Sequence, residues 1–114
     1  MLNKPIITIY ITNYNYGKYL GKAIESAINQ TYKKIYIVIV DDASTDISKK
    51  ILKKYEKYNF IKIIYNKKRK GLVKSSNAAI RVSKGKSILR LDAYDYLHPE
   101  FKNKKYFKIK KNSN

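Results

Sequence analysis

Two aspartates, Asp92 and Asp95, follow a short apolar run in the segment KSILRLDAYDYLHPE, residues 86–100. Carboxylates are scarce in this chain, which has 26 lysines and arginines but only 8 aspartates and glutamates. Solubility gives no reason to place two of them directly after a hydrophobic strand. Parallel sheets bind their ligands outside the carboxyl ends of their strands. The position of this pair therefore predicts a ligand site with two carboxylates at a sheet rim.

Two further polar segments also follow apolar runs. TNYNYG, residues 12–17, comes after a run of β-branched residues, and Asp41 and Asp42 come directly after IYIVIV, residues 35–40. IYIVIV is apolar on both faces, which is typical of a strand buried in the middle of a parallel sheet. The carboxyl ends of parallel strands share one edge, so the three polar segments are predicted to meet there. Taken singly, each could equally be an ordinary strand end or helix cap.

Alternating strand and helix patterns connect these segments. Amphipathic helices are predicted between successive strands, which cover residues 5–11, 35–40, 61–65 and 87–91. Asn15 is predicted to cap the first helix, Ser44 or Thr45 the second, with Asp46 in its first turn, and Gly85 is predicted to end the third. The predicted inner faces of the three helices are Leu20, Ala23, Ile24, Ala27 and Ile28; Ile47, Ile51, Leu52 and Tyr55; and Leu72, Val73, Ser76, Ala79, Ile80 and Ser83.

This order of elements, with short loops and right-handed crossovers, predicts an α/β fold. We expect a three-layer α/β/α arrangement around a mostly parallel, doubly wound, Rossmann-like sheet. The first and fourth strands should be neighbours, and the third should lie nearer an edge. Neither GxGxxG nor GxxxxGK[ST] occurs, so the phosphate sites of dinucleotide folds and P-loop enzymes are not predicted.

Composition bounds the class of protein. A chain of 114 residues with 44% hydrophobic content suits one small globular domain. It has no cysteine, and no run of 18 apolar residues that would predict a membrane-spanning helix. The formal net charge of +18 leaves open a basic module that binds nucleic acid or an anionic membrane surface. The excess is almost entirely lysine, which favours a solvated surface without specific nucleic-acid binding.

The motifs in chain order closely resemble those of family 2 glycosyltransferases, which have the GT-A fold. The resemblance covers residues 4–100 as a partial nucleotide-sugar-binding domain, with residues 101–114 as a basic C-terminal tail. It implies transfer of a sugar from a nucleotide-sugar, with a UDP-sugar favoured, to an acceptor hydroxyl in polysaccharide or glycoconjugate synthesis. The segments that carry it are PIITIYITNYNYGKYL, IYIVIVDDASTD, GLVKSSNAAI and KGKSILRLDAYDYLHPE.

The resemblance also implies roles for individual residues in donor binding. Thr12 and Tyr14 look like the residues that hold the nucleobase, with Tyr14 packed on its face. Asp42 resembles the aspartate that accepts a hydrogen bond from the base ring N–H, and Asp41 supports its loop. Asn77 occupies the position of a polar residue on the helix beside the donor.

The segment DAYD, residues 92–95, resembles the family's metal-binding cluster, which usually reads DADD. The family implies Mg²⁺ or Mn²⁺ at the donor diphosphate. Here Tyr94 replaces the usual direct ligand, and a neutral phenol is a poor ligand for either ion. Asp92 and Asp95 are therefore expected to hold an ion only weakly, with Asp92 also beside the nucleotide.

No catalytic residue is predicted, because the half of the family's domain that carries the acceptor site and general base has no counterpart here. His98, in HPE, is expected to begin a helix rather than act as a base. We expect a truncated form with impaired activity, or one part of a split enzyme whose second chain supplies the acceptor half. The expected location is the cytoplasm, with peripheral contact at the inner face of the membrane as an addition.

Overall fold

The computed structural model describes residues 6–94, which form seven alternating strands and helices. Asp95, His98 and the basic tail at residues 101–114 lie outside the described residues. The elements are β1 (Ile7–Asn13), α1 (Gly17–Ile28), β2 (Ile35–Asp41), α2 (Ser48–Lys53), β3 (Ile61–Tyr65), α3 (Leu72–Val82) and β4 (Ser87–Asp92).

The four strands form one parallel sheet in the order β3-β2-β1-β4. Ile9 in β1 pairs with Ile37 in β2 on one side and with Leu89 in β4 on the other. The reversal of strand order between β1 and β4 confirms the predicted neighbours, and β3 lies at an edge of this sheet as expected. Each of the three described crossovers contains a helix, as parallel strands require.

The alternating side chains of the strands build a core on each face of the sheet. On one face Ile9, Ile37 and Leu89 pack with Leu20 and Ile24 of α1, and Leu52 of α2 belongs to the same cluster. On the other face the core residues are Tyr10, Val38, Val40 and Ile88 from the strands and Ala79 from α3. Because β2 contributes to both clusters, its apolar character on both faces is explained. The three-layer α/β/α prediction is confirmed.

The predicted amino-terminal caps of α1 and α2 are both wrong. Helix α1 begins at Gly17, and Asn15 lies outside it with a φ of 57°. The Asn15 Oδ1 accepts hydrogen bonds from the backbone N–H groups of Thr45, at 2.7 Å, and Asp46, at 3.2 Å. Helix α2 begins only at Ser48, so the hydroxyls of Ser44 and Thr45 lie too far upstream to cap it. Asn15 thus holds the loop before the next helix instead of capping its own.

Parts of the predicted helical faces are also wrong. Ile47 is 56% exposed because it precedes the first turn of α2, and Leu72 and Val73 are 50% and 73% exposed in the first turn of α3. The buried residues of α3 are Ser75 and Ala79, whose small side chains let the helix approach the sheet closely.

Gly85 does not end α3 as predicted, because that helix ends at Val82 and its C-cap is Ser83. Gly85 has a φ of 76° and forms the turn into β4. A Cβ there would collide with the backbone carbonyl oxygen of Ile6. The glycine is thus required by positive φ and by close approach to the chain entering β1.

Within residues 6–94, no helix combines the length and hydropathy needed to span a bilayer.

Candidate functional site

A pocket of about 230 Å³ lies at the carboxyl edge of the sheet, where several polar loops meet. It lies where β1, β2 and β4 end, as the three polar segments predict. Thr12, Tyr14, Asp42 and Asp92, four of the six residues predicted to bind nucleotide, line it. The remaining lining residues are Asn13, Tyr16, Arg69, Leu72, Ser75, Arg90, Ala93 and Tyr94.

Asp41 is fully buried beneath this pocket and does not line it. Its carboxylate accepts hydrogen bonds from the Ser44 hydroxyl at 2.7 Å, the Ser44 backbone N–H at 3.0 Å and the Asn13 side-chain amide at 2.9 Å. Ser44 Oγ in turn accepts the backbone N–H of Asn15 at 2.9 Å. Asp41 therefore ties the loop after β1 to the loop after β2, which is a supporting role.

Asp42 reaches the pocket, but other groups surround its carboxylate. Its Oδ1 accepts from the Asn66 amide at 2.9 Å and the Lys70 backbone N–H at 2.8 Å. Its Oδ2 accepts from the Gly71 backbone N–H and from Arg69 Nε, both at 3.0 Å. Burial would raise the pKa of Asp42, but these hydrogen bonds outweigh it and lower that pKa to about 2. The carboxylate is therefore ionised at neutral pH and anchors the loop after β3.

Arg69 is a pocket residue that sequence reasoning missed. Its guanidinium carbon lies 3.5 Å from the centre of the Tyr14 ring, within stacking distance, while its Nε bonds Asp42. The hydrogen bond to Asp42 is the main reason that the pKa of Arg69 is raised. The sequence feature that could have indicated Arg69 is that it is the one arginine among the lysines of NKKRKG, residues 66–71. Nothing in that pattern indicates which residue of the loop turns towards the pocket.

The DAYD end of the pocket holds a second ion pair and an aromatic contact. Arg90 Nη2 lies 3.4 Å from Asp92 Oδ2, and this carboxylate raises the pKa of Arg90. Tyr94 is half exposed, and its ring centre lies 5.1 Å from that of Tyr16. Tyr94 thus joins an aromatic rim instead of supplying a carboxylate.

Asn77 is not brought to this pocket. It is exposed on α3 and lines a separate surface depression with Asn66, Lys70, Lys74, Ala78 and Arg81. The predicted set therefore divides into four pocket residues, one supporting residue and one residue elsewhere.

The described residues do not make a donor set for a divalent cation. Among residues 6–94, no three or more His, Cys, Asp or Glu side chains are grouped to hold a metal ion. Asp92 is the DAYD carboxylate in this range, and it already faces Arg90, while the intervening Tyr94 offers a neutral phenol. Hard divalent cations prefer several oxygen ligands, mostly carboxylates and waters. Mg²⁺ or Mn²⁺, which the family resemblance implies, is therefore not matched by these side chains.

Comparison with known proteins shows the family. The sequence model of "Glycosyl transferase family 2" matches residues 8–114. The chain belongs to glycosyl transferase family 2. The chondroitin synthase of Escherichia coli is 39% identical to it over 97 residues, which is 84% of this chain and 14% of the synthase. An uncharacterized glycosyltransferase of Haemophilus influenzae is 34% identical over 113 residues, which is 98% of this chain and 35% of that protein.

The fold also agrees with that of a solved structure. S. aureus TarS, residues 1–349, in complex with UDP-GlcNAc superposes with a TM-score of 0.78 and 28% identity, covering 86% of this chain and 29% of that TarS chain. The chain therefore spans at most about a third of these three proteins. It is a glycosyltransferase-like domain of the GT-A fold, and the part it covers contains the carboxyl-edge pocket.

Proposed function

We propose that the pocket binds the nucleotide of a nucleotide-sugar donor, for transfer of the sugar to an acceptor hydroxyl. The observation that supports this most strongly is that the Tyr14 ring and the Asp42 carboxylate line one pocket at the carboxyl edge, beside the ends of β1 and β2. An aromatic face recognises the plane of a base, and an ionised carboxylate recognises a ring N–H. The sheet edge at which they meet is the usual ligand position in doubly wound folds.

The six residues expected to bind the nucleotide differ in their roles in this proposal. Tyr14 packs on the base, and Asp42, ionised because its pKa is about 2, accepts the base N–H. Thr12 and Asp92 line the β1–β4 side of the pocket and would face the ribose and diphosphate. Asp41 acts indirectly by fixing the loops, and Asn77 is left out because it faces elsewhere.

A UDP-sugar is the proposed donor, since TarS was solved with UDP-GlcNAc and shares 28% of its aligned residues with this chain. No step is assigned to a metal ion, because Asp92 and Tyr94 do not fit one. The pocket offers Arg69 and Arg90 as positive groups to an anionic diphosphate. Two guanidinium groups suit phosphate oxygens through bidentate hydrogen bonds.

The acceptor site and the general base are proposed to come from polypeptide outside the domain at residues 4–100. That polypeptide is either covalently continuous with this domain or a second chain, and both arrangements are consistent with the longer relatives. The lysine-rich surface would give the domain peripheral contact with an anionic membrane at its cytoplasmic face.

Isothermal titration of the full 114-residue chain with UDP, with and without Mn²⁺, tests the proposal. We expect saturable binding that Tyr14→Leu weakens by about tenfold or more, the loss of one base–aromatic stack. Tyr58→Leu is the matched control, because Tyr58 is an exposed tyrosine that does not line the pocket. Equal effects of the two substitutions, or no binding of UDP at all, would reject UDP binding in this pocket.

The same titration distinguishes the basic-module alternative. Binding of duplex DNA or anionic vesicles through lysines would weaken steeply with salt and would be unaffected by Tyr14→Leu. Donor binding in the pocket depends on Tyr14 at every salt concentration.

A further inference from the structure

Two recognition surfaces of the pocket, one aromatic and one anionic, are occupied by a single side chain of the protein itself. Arg69 covers the Tyr14 ring with its guanidinium carbon 3.5 Å from the ring centre. The same side chain donates from Nε to Asp42 Oδ2 at 3.0 Å. The Arg69 guanidinium is a planar group that stacks on Tyr14 and donates a hydrogen bond to Asp42. A nucleobase bound in this position would make the same two contacts.

The spacing excludes simultaneous occupation of that face. Stacked planar groups lie about 3.5 Å apart, so a base between Arg69 and Tyr14 would need roughly twice the observed separation. The guanidinium already sits at the one-layer distance. A base can reach this face of Tyr14 only after Arg69 has left it.

The carboxylate leads to the same conclusion independently. A carboxylate has about four acceptor positions. Asn66, Lys70, Gly71 and Arg69 together supply four donors to Asp42. Of these, two are backbone N–H groups and Asn66 is buried, whereas the Arg69 side chain is 52% exposed and can move into solvent. Arg69 is therefore the donor that a base N–H would replace.

We infer that Arg69 and the nucleobase compete for one slot between Tyr14 and Asp42, so that Arg69 sets the affinity and selectivity of donor binding. This inference rests on the proposed function. The bound base must offer both a flat face and a ring donor, because it has to replace both contacts of the guanidinium. A base that stacks on Tyr14 but has no ring donor leaves one acceptor position of the Asp42 carboxylate unfilled, so it competes less well with Arg69.

Competition predicts that removing Arg69 strengthens binding, the reverse of the usual effect of deleting a pocket arginine. The observed affinity is the intrinsic affinity multiplied by the fraction of molecules whose slot is open. Neutral nucleosides are the suitable probes, because they remove the attraction between arginine and phosphate. We expect Arg69→Ala to bind its preferred nucleoside about tenfold more tightly than the wild-type chain, from loss of one cation–π contact and one ion pair.

The experiment titrates uridine, cytidine, adenosine and guanosine into the full chain and its Arg69→Ala and Lys68→Ala variants. Lys68→Ala removes a charge from an exposed position in the same loop, and we expect it to bind like the wild type. Asp42 keeps its three other donors in Arg69→Ala, and the circular dichroism spectrum should show an unchanged fold. Equal or weaker nucleoside binding by Arg69→Ala would overturn the inference.

A second measurement needs no variant. In the free wild-type chain the Arg69 Nε–H resonance should carry the signature of a hydrogen bond beside a ring, and saturation with nucleoside should move it to the position of a solvent-exposed arginine. A resonance that stays in place at saturation would refute competition even if the pocket binds nucleosides. If no nucleoside binds to the wild type or to Arg69→Ala, both the inference and the proposed donor site fail.

Discussion

At the scale of single residues, the pocket stands on a small network of buried polar side chains. Asn13, Asp41 and Ser44 are all at most 4% exposed, and their hydrogen bonds join the ends of β1 and β2. Asn13 Nδ2 donates to both Asp41 and Ser44, while Asn13 Oδ1 accepts no hydrogen bond from any residue that the structure describes. The network depends on an amide donor at position 13, facing a buried carboxylate.

Asn13→Asp should therefore destabilise the chain. It replaces the amide donor, 2.9 Å from Asp41 Oδ1, with a second carboxylate. We expect a loss of about 3 kcal/mol in the free energy of unfolding, measured by urea denaturation at neutral pH. Asn15→Asp is the control, because Asn15 Oδ1 accepts the loop N–H groups while its amide nitrogen makes only a long, exposed hydrogen bond of 3.4 Å to Thr45 Oγ1. Aspartate also tolerates the positive φ at this position. Equal stability of the two variants would contradict the account of Asn13.

The lowered pKa of Asp42 predicts that the stability of the fold depends on pH. Its folded-state pKa is about 2, below the value of 3.8 for an ordinary aspartate. The stabilisation from its ionised form is therefore complete above pH 4 and is lost as the pH falls towards 2. Asp42→Asn should be less stable than the wild type by about 1–2 kcal/mol at pH 7, and the difference should shrink by pH 2. Urea denaturation across this range is the measurement, and a difference that stays constant with pH would refute the assignment.

The residue types and positions predicted the rim of the pocket but not its interior contacts. Thr12 and Asp92 lie at the carboxyl ends of β1 and β4, and Tyr14 and Asp42 directly follow β1 and β2. The carboxyl end of a parallel strand fixes which edge of the sheet such a residue reaches. Arg69 lies four residues after β3, where loop conformation decides its direction. That conformation depends on Asp42 accepting two loop N–H groups, a long-range contact that no local pattern contains.

At the scale of elements, hydrophobic periodicity correctly predicted the positions of the strands and helices, but it did not predict how the helices are capped. β3 was predicted over residues 61–65 and observed as Ile61–Tyr65. The caps were missed because Asn15 and Ser44 have better partners across the loops than along their own helices. Tertiary contacts outweighed the local capping preference at both positions.

Alanine substitutions at two glycines distinguish a position where the backbone requires glycine from one where glycine only lowers helix propensity. Gly85→Ala should cost about 2–4 kcal/mol, because alanine is strained at a φ of 76° and its Cβ meets the Ile6 carbonyl. Gly21→Ala should instead stabilise by about 0.5–1 kcal/mol, since it lies inside α1 with open space around its Cβ position. Thermal unfolding of both variants is the test, and a neutral Gly85→Ala would show that the turn can relax.

At the scale of the whole molecule, the net charge of +18 on 114 residues is a source of self-repulsion. Raising NaCl from ~20 mM to ~300 mM should therefore raise the unfolding temperature by several degrees, because screening shortens the range of that repulsion. Differential scanning fluorimetry measures this shift. An unfolding temperature that does not rise would mean that the lysines are spaced widely enough to be individually solvated.

The parallel register also has a consequence for the order in which the chain can fold during synthesis. β1 is an inner strand of the sheet, yet its partner on one side is β4, with Ile7 paired to Ser87. β2 is available much earlier to cover the other side of β1. On the ribosome, one edge of β1 therefore stays unpaired until β4, and with it nearly all of residues 6–94, has emerged. An emerging chain would expose an apolar strand edge for seconds at typical elongation rates, and chaperone contact should be concentrated there.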